Sequence, residues 1–113
     1  MLRFRPFAVL LALALFASMG FAETWNHATI VDAACAAKAK ADPAAHPVSC
    51  ALQCSSKGLG VFTADGQFLK LDRNGTREAI AILRHSAKKS GVQVTVRGVR
   101  HGDTIEVTSI AAL

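Results

Sequence analysis

The residues of this chain best suited to chemistry lie together in one short stretch. Its three cysteines, Cys35, Cys50 and Cys54, all fall within residues 35–54, and His46 lies among them. His46, Cys50 and Cys54 are spaced i, i+4 and i+8, so a helix through them would align their side chains on one stripe. Three thiols and an imidazole form a complete tetrahedral ligand set that suits zinc(II) or copper(I). The sequence therefore predicts a metal site at Cys35, His46, Cys50 and Cys54.

The same cysteines allow two other interpretations. A disulfide from Cys35 to Cys50 or Cys54 would close a loop of about 15 or 19 residues and contribute roughly 3 kcal/mol, leaving one spare thiol. Pairing Cys50 with Cys54 would strain the bond, because one helical turn separates them. A redox or thiol-transfer role is the third interpretation, although the C-x3-C spacing differs from the C-x-x-C that lowers a thiol pKa in oxidoreductases.

Asp32 and the other histidines have simpler expected roles. An aspartate at the end of a strand usually caps the turn that follows, and the alternative for Asp32 is a fifth metal ligand or a hydrogen-bond acceptor for His46. The remaining histidines lack a partner at ligand spacing in their own segments and are expected in solvent: His27, His85 and His101. Because the chain contains no phosphate-binding loop, G-x-S-x-G or H-E-x-x-H motif, we expect a non-catalytic protein.

The N-terminus has the layout of a secretory signal peptide. Two arginines precede an apolar run at residues 7–16, and Gly20 and Ala22 occupy the −3 and −1 positions of a cut before Glu23. The run is shorter than the roughly 20 residues needed to span a bilayer. We therefore predict that residues 1–22 are removed on export, that the protein is not held in the membrane afterwards, and that it resides in a bacterial periplasm.

The remaining residues 23–113 are expected to form one small domain. Two of the 13 lysines and arginines belong to the leader, so the rest exceed the 8 acidic residues by only three. This mild charge does not indicate a nucleic-acid partner, and one tryptophan with no tyrosine is too little for base stacking. The expected partner is a metal ion or, in the disulfide interpretation, an envelope protein or small ligand.

Periodicity predicts five strands and one long helix. Alternating or β-branched residues place the strands at 25–31, 59–63, 67–71, 92–97 and 104–110. An apolar stripe places the long helix at 77–89, capped by Asn74 or Thr76, and a shorter helical segment at 48–55. The order is that of an OB-fold, a small α+β barrel, with the helix between strands three and four and a Cys/His-containing insertion between strands one and two. The alternative is an open α+β sheet, which would leave more exposed strand edges.

Two patterns in the chain resemble known bacterial proteins. Residues 94–113, VTVRGVRHGDTIEVTSIAAL, resemble the end of small periplasmic OB-fold proteins, in which a V-x-V-x-G strand precedes a D-x-I-x-V-x-x-I strand. The pattern Asp32-x-x-Cys35, His46, Cys50-x3-Cys54 is similar to that of small exported bacterial proteins. The resemblance implies a periplasmic location and an OB-like barrel, and it implies no established activity.

Overall fold

The computed structural model describes residues 20–113. The signal peptide predicted at residues 1–22 therefore lies outside the described residues, apart from its last few positions. Ala22, the last residue before the predicted cut, already belongs to the first strand and pairs with Val99. Within the described part of the chain, no helix combines the length and the apolar character needed to cross a membrane.

Five strands close into a barrel, as the sequence predicts. They are β1 (Ala22–Asp32), β2 (Leu59–Phe62), β3 (Phe68–Leu71), β4 (Gln93–His101) and β5 (Thr104–Ala112). The order around the barrel is β1-β2-β3-β5-β4, and β4 returns to pair with β1. All neighbours are antiparallel except β3 and β5. The protein is thus a small OB-fold-like α+β barrel, and the open-sheet alternative is wrong.

The first strand closes the barrel because it is long and bent. Its first half pairs with β4 and its last residues pair with β2, at Thr29 to Asp32. A β-bulge between Trp25 and Ala28 shifts the register within the β1–β4 pairing, and His27 lies in it with φ at 52°. A bulge increases local bending and twist, which lets one strand border two parts of a sheet. The predicted strand at 25–31 was therefore too short at both ends.

The barrel interior is filled by alternating side chains from all strands. Val94 and Val96 of β4 are fully buried, in agreement with the period-two pattern. They pack with the other fully buried large residues of the main core, Leu59, Val61, Leu69 and Ile105. Val31 packs instead with Ala39 and Phe62 in a second, smaller cluster. At Gly98, a Cβ would collide with the backbone oxygen of Glu106, so β4 and β5 approach closely only because this residue is glycine.

The long helix begins and ends four residues earlier than predicted. Helix α3 runs from Arg73 to His85, and its N-cap is Asp72, whose Oδ1 accepts a hydrogen bond from the Gly75 amide at 2.8 Å. In the sequence, Gly75 suggests that the helix has not yet begun, but it lies in the first turn of α3. It is tolerated there because its missing side chain lets the helix pack directly against Val107. On its buried face, Ala79 and Leu83 are buried as expected.

The helical insertion between β1 and β2 is a series of short elements. Helix α1 covers Ala36–Ala39 and helix α2 covers Val48–Gln53, with 3-10 turns at Ala33–Cys35, Pro43–Ala45 and Ser55–Lys57. The expected helical stripe through His46, Cys50 and Cys54 is wrong at its first residue. His46 has extended backbone angles because Pro47 follows it and disfavours the helical region.

Candidate functional site

The site is organised around Asp32, the last residue of β1. Asp32 is fully buried, and a buried carboxylate is stable only when it is hydrogen-bonded or paired. Its Oδ2 accepts a hydrogen bond from the backbone amide of Cys35 at 3.0 Å, and its Oδ1 accepts one from Nε2 of His46 at 2.6 Å. Asp32 therefore caps the turn, as predicted, and also holds His46, which was the alternative prediction.

The backbone around His46 is fixed by the segment that follows helix α3. The Gly91 amide donates to the His46 carbonyl at 3.3 Å, and the Val48 amide donates to the Lys89 carbonyl at 2.9 Å. A single β-bridge joins Pro47 to Ser90 between them. Residues 89–91, which the sequence places at the end of the helix and just beyond it, therefore bind the insertion instead.

The imidazole of His46 has one ring nitrogen available for a ligand. Its side chain is only 9% exposed, and Nε2 donates its hydrogen to Asp32. In the neutral ring, the lone pair then lies on Nδ1. Metal-binding histidines usually have this arrangement: a carboxylate binds one ring nitrogen and so directs the other towards the metal.

The thiol of Cys35 lies against the same carboxylate. Hydrogen bonding to Asp32 raises the pKa of Cys35 above its usual value, and burial and the charge of Asp32 raise it further. The thiols of Cys54 and Cys50 also raise this pKa, because like charges close together disfavour ionisation. The sulfurs of the insertion are thus electrostatic neighbours. All three cysteines are half-buried free thiols.

The predicted ligands all lie in the insertion, but their side chains do not surround a common point. Cys35 and His46 meet at Asp32, while Cys50 lies in α2 and Cys54 caps its C-terminus. Within residues 20–113, no group of three or more histidine, cysteine or acidic side chains is arranged to hold a metal ion. The thiols would have to turn towards the imidazole for all four residues to share one ligand.

The order of Cys35, Asp32 and His46 differs from that of a catalytic cysteine–histidine pair. In a Cys–His pair the imidazole contacts the thiol and removes its proton. Here the carboxylate of Asp32 lies between Cys35 and His46, and the raised pKa of Cys35 keeps that thiol protonated at neutral pH. The arrangement favours holding protons and orienting the imidazole over generating a thiolate.

The other histidines lie at the surface, as predicted. His85 donates from Nδ1 to the Ala81 carbonyl at 2.8 Å, and His101 contacts Glu106 at 3.0 Å. His27 is exposed in the bulge of β1.

Comparison with known proteins does not place this chain in a family. No protein-family model, curated protein sequence or solved structure matches this chain.

Proposed function

We propose that this protein is a non-catalytic metal-binding module of the bacterial periplasm, which binds, buffers or delivers one metal ion at Cys35, His46, Cys50 and Cys54. The observation that carries the proposal is the buried Asp32, which fixes His46 with Nδ1 unused and contacts Cys35 through its other oxygen. Thiolates and an imidazole are the ligand types of zinc(II) and copper(I) sites.

The charge of the site favours zinc(II) over copper(I). Three thiolates and a neutral imidazole would leave one net negative charge around zinc(II) and two around copper(I). The buried carboxylate of Asp32 adds a further negative charge nearby. Since charge is costly to keep in a half-buried site, the divalent ion compensates it better.

Binding would require the thiols to lose their protons and turn towards the imidazole. The metal displaces the proton of each cysteine ligand, so binding releases protons and strengthens as the pH rises. Cys35 lies in a 3-10 turn and Cys54 at a helix end, so both are outside the barrel strands. Asp32 holds the His46 ring through Nε2, so the free Nδ1 would serve as the fixed point.

The proposal is tested by metal stoichiometry on protein purified under reducing conditions. After reconstitution and removal of loose metal, we expect about one equivalent of zinc per chain. His46→Gln should lose most of this zinc, whereas the matched control His85→Gln, at an exposed histidine, should retain it. Less than about a tenth of an equivalent in the unsubstituted protein would overturn the proposal.

Alkylation and mass measurement separate this proposal from the disulfide interpretation. The metal-free protein, purified without added reductant, should accept three alkyl groups, one at each cysteine. A single alkyl group would instead indicate a disulfide with one spare thiol. The export proposal is tested on the same sample, because the mature chain should begin at Glu23.

A further inference from the structure

We propose that the groove between helix α1 and the β2–β3 hairpin binds a small organic carboxylate with an apolar or aromatic body. The groove has a volume of about 420 Å³. Helix α1 forms one wall through Ala36 and Ala37, the hairpin forms the other through Phe62 and Phe68, and Arg100 of β4 closes one side. None of the proposed metal ligands lines it, so this inference is independent of the metal site.

The apolar part of the groove is built from an ordered aromatic pair. The rings of Phe62 and Phe68 lie 5.2 Å apart at 53°. Phe62 is 4% exposed, while Phe68 is only half-buried. The ring of Phe68 packs over Gly60, and a Cβ at that position would collide with it. An apolar ligand body would cover the remaining exposed ring surface together with the alanines of α1.

The polar part of the groove carries two cations that have no acidic partner among residues 20–113. Arg100 donates from Nε to the Gly102 carbonyl at 2.7 Å and from Nη1 to Oε1 of Gln67 at 3.3 Å, which orients its guanidinium. Lys40, at the end of α1, lines the groove from the insertion. Within the described chain, neither cation forms a salt bridge; the ion pairs there join other residues.

Two of the acids that are close in sequence to groove residues have other partners. The carboxylate of Asp65 accepts a hydrogen bond from the Thr63 hydroxyl, and Asp103 lies 3.9 Å from the ammonium of Lys70. The groove is therefore complementary to a negative charge, and an oriented guanidinium binds a carboxylate with paired hydrogen bonds.

The size of the groove suits a small molecule better than an extended peptide or nucleic-acid chain. Its volume falls within the usual range for small-molecule sites, which combine an apolar lining with a few placed polar groups. The aromatic surface consists of one phenylalanine pair, which suits a single ring or a short alkyl body better than a row of stacked bases.

The proposal is tested by titrating phenylacetate into isotope-labelled protein and following backbone amide shifts. We expect saturable shifts at α1, the hairpin and Arg100, with weaker binding at high salt. Phenylacetamide, which has the same shape without the charge, should bind at least about tenfold more weakly. Arg100→Gln should weaken phenylacetate binding by a similar factor, whereas Arg84→Gln, at an exposed arginine of α3, should leave it unchanged.

A blocking variant tests the location without removing a charge. Ala37→Leu places a larger side chain on the groove wall and should abolish phenylacetate binding, while Ala34→Leu, exposed outside the groove, should not. Amide spectra show whether each variant is folded. Equal binding of phenylacetate and phenylacetamide, shifts outside the groove, or binding of an acidic peptide or oligonucleotide with none of phenylacetate would each overturn the proposal. Metal stoichiometry should be the same in all these variants.

Discussion

Replacing Asp32 by asparagine should destabilise the protein markedly, although the two side chains have nearly the same shape. Both oxygens of Asp32 accept hydrogen bonds, from the Cys35 amide and from Nε2 of His46. Asparagine keeps one acceptor and places an NH2 group against the other donor. The charge-assisted hydrogen bond to the imidazole is therefore lost, which costs about 1.5–3 kcal/mol, and His46 must change tautomer for Nε2 to accept from the NH2 group.

Part of this cost is offset because a buried charge is also removed. We therefore expect the free energy of unfolding to fall by about 2 kcal/mol, which lowers the melting temperature of a domain of this size by about 10 °C. Denaturant unfolding of the reduced, metal-free protein, followed by circular dichroism, measures the change. Asp103→Asn is the matched control, since that carboxylate is 71% exposed and its loss should cost less than about 0.5 kcal/mol.

A double-mutant cycle isolates the contact with the imidazole. Asp32→Asn, His46→Gln and the combined variant should give a coupling free energy of about 1–2 kcal/mol. A coupling near zero, or an Asp32→Asn variant as stable as the unsubstituted protein, would refute the assignment of Asp32 as the residue that holds His46.

Three further predictions follow from single contacts. Asp72→Ala removes the N-cap of α3 and should cost about 1 kcal/mol in denaturant unfolding, whereas Asp72→Asn should cost only a few tenths; equal losses would contradict the capping role. Gly98→Ala forces β4 away from the Glu106 carbonyl and should cost about 3 kcal/mol, against less than about 0.5 kcal/mol for the exposed Ser109→Ala; similar melting temperatures for the two would contradict the close approach. Because its pKa is raised, Cys35 should react with iodoacetamide more slowly than free cysteine at pH 8, and its rate should rise at a higher pH than usual. Asp32→Asn should accelerate the reaction. Peptide mapping of the metal-free protein measures the labelling rate, and rapid labelling of Cys35 would count against the carboxylate contact.

The topology could be predicted because it depends on periodicity and element order. The valines of β4 alternate, and the Gly102-Asp103 turn follows directly, so the strand pair is evident from local sequence. The limits of α3 were wrong because they depend on distant contacts. Gly75 is tolerated in the first turn because Val107 packs against it, and residues after His85 are held by the insertion.

The site could be predicted only as a set of residue types. The spacing of the cysteines and His46 is visible in the sequence, but Pro47 removes His46 from the helix that was expected to align it. The contact between Asp32 and His46 depends on how the intervening loop folds back, which no local pattern shows. The carboxylate groove was missed for the same reason, because Lys40, Phe68 and Arg100 meet only in the closed barrel.

The proposed metal site requires that three thiolates and the Asp32-held imidazole bind one ion. X-ray absorption at the zinc edge of the reduced, zinc-loaded protein measures this directly. We expect three sulfur neighbours at about 2.3 Å and one nitrogen at about 2.0 Å, with the nitrogen lost in His46→Gln. A zinc shell of oxygen and nitrogen alone, or one that is unchanged in His46→Gln, would contradict the proposed site.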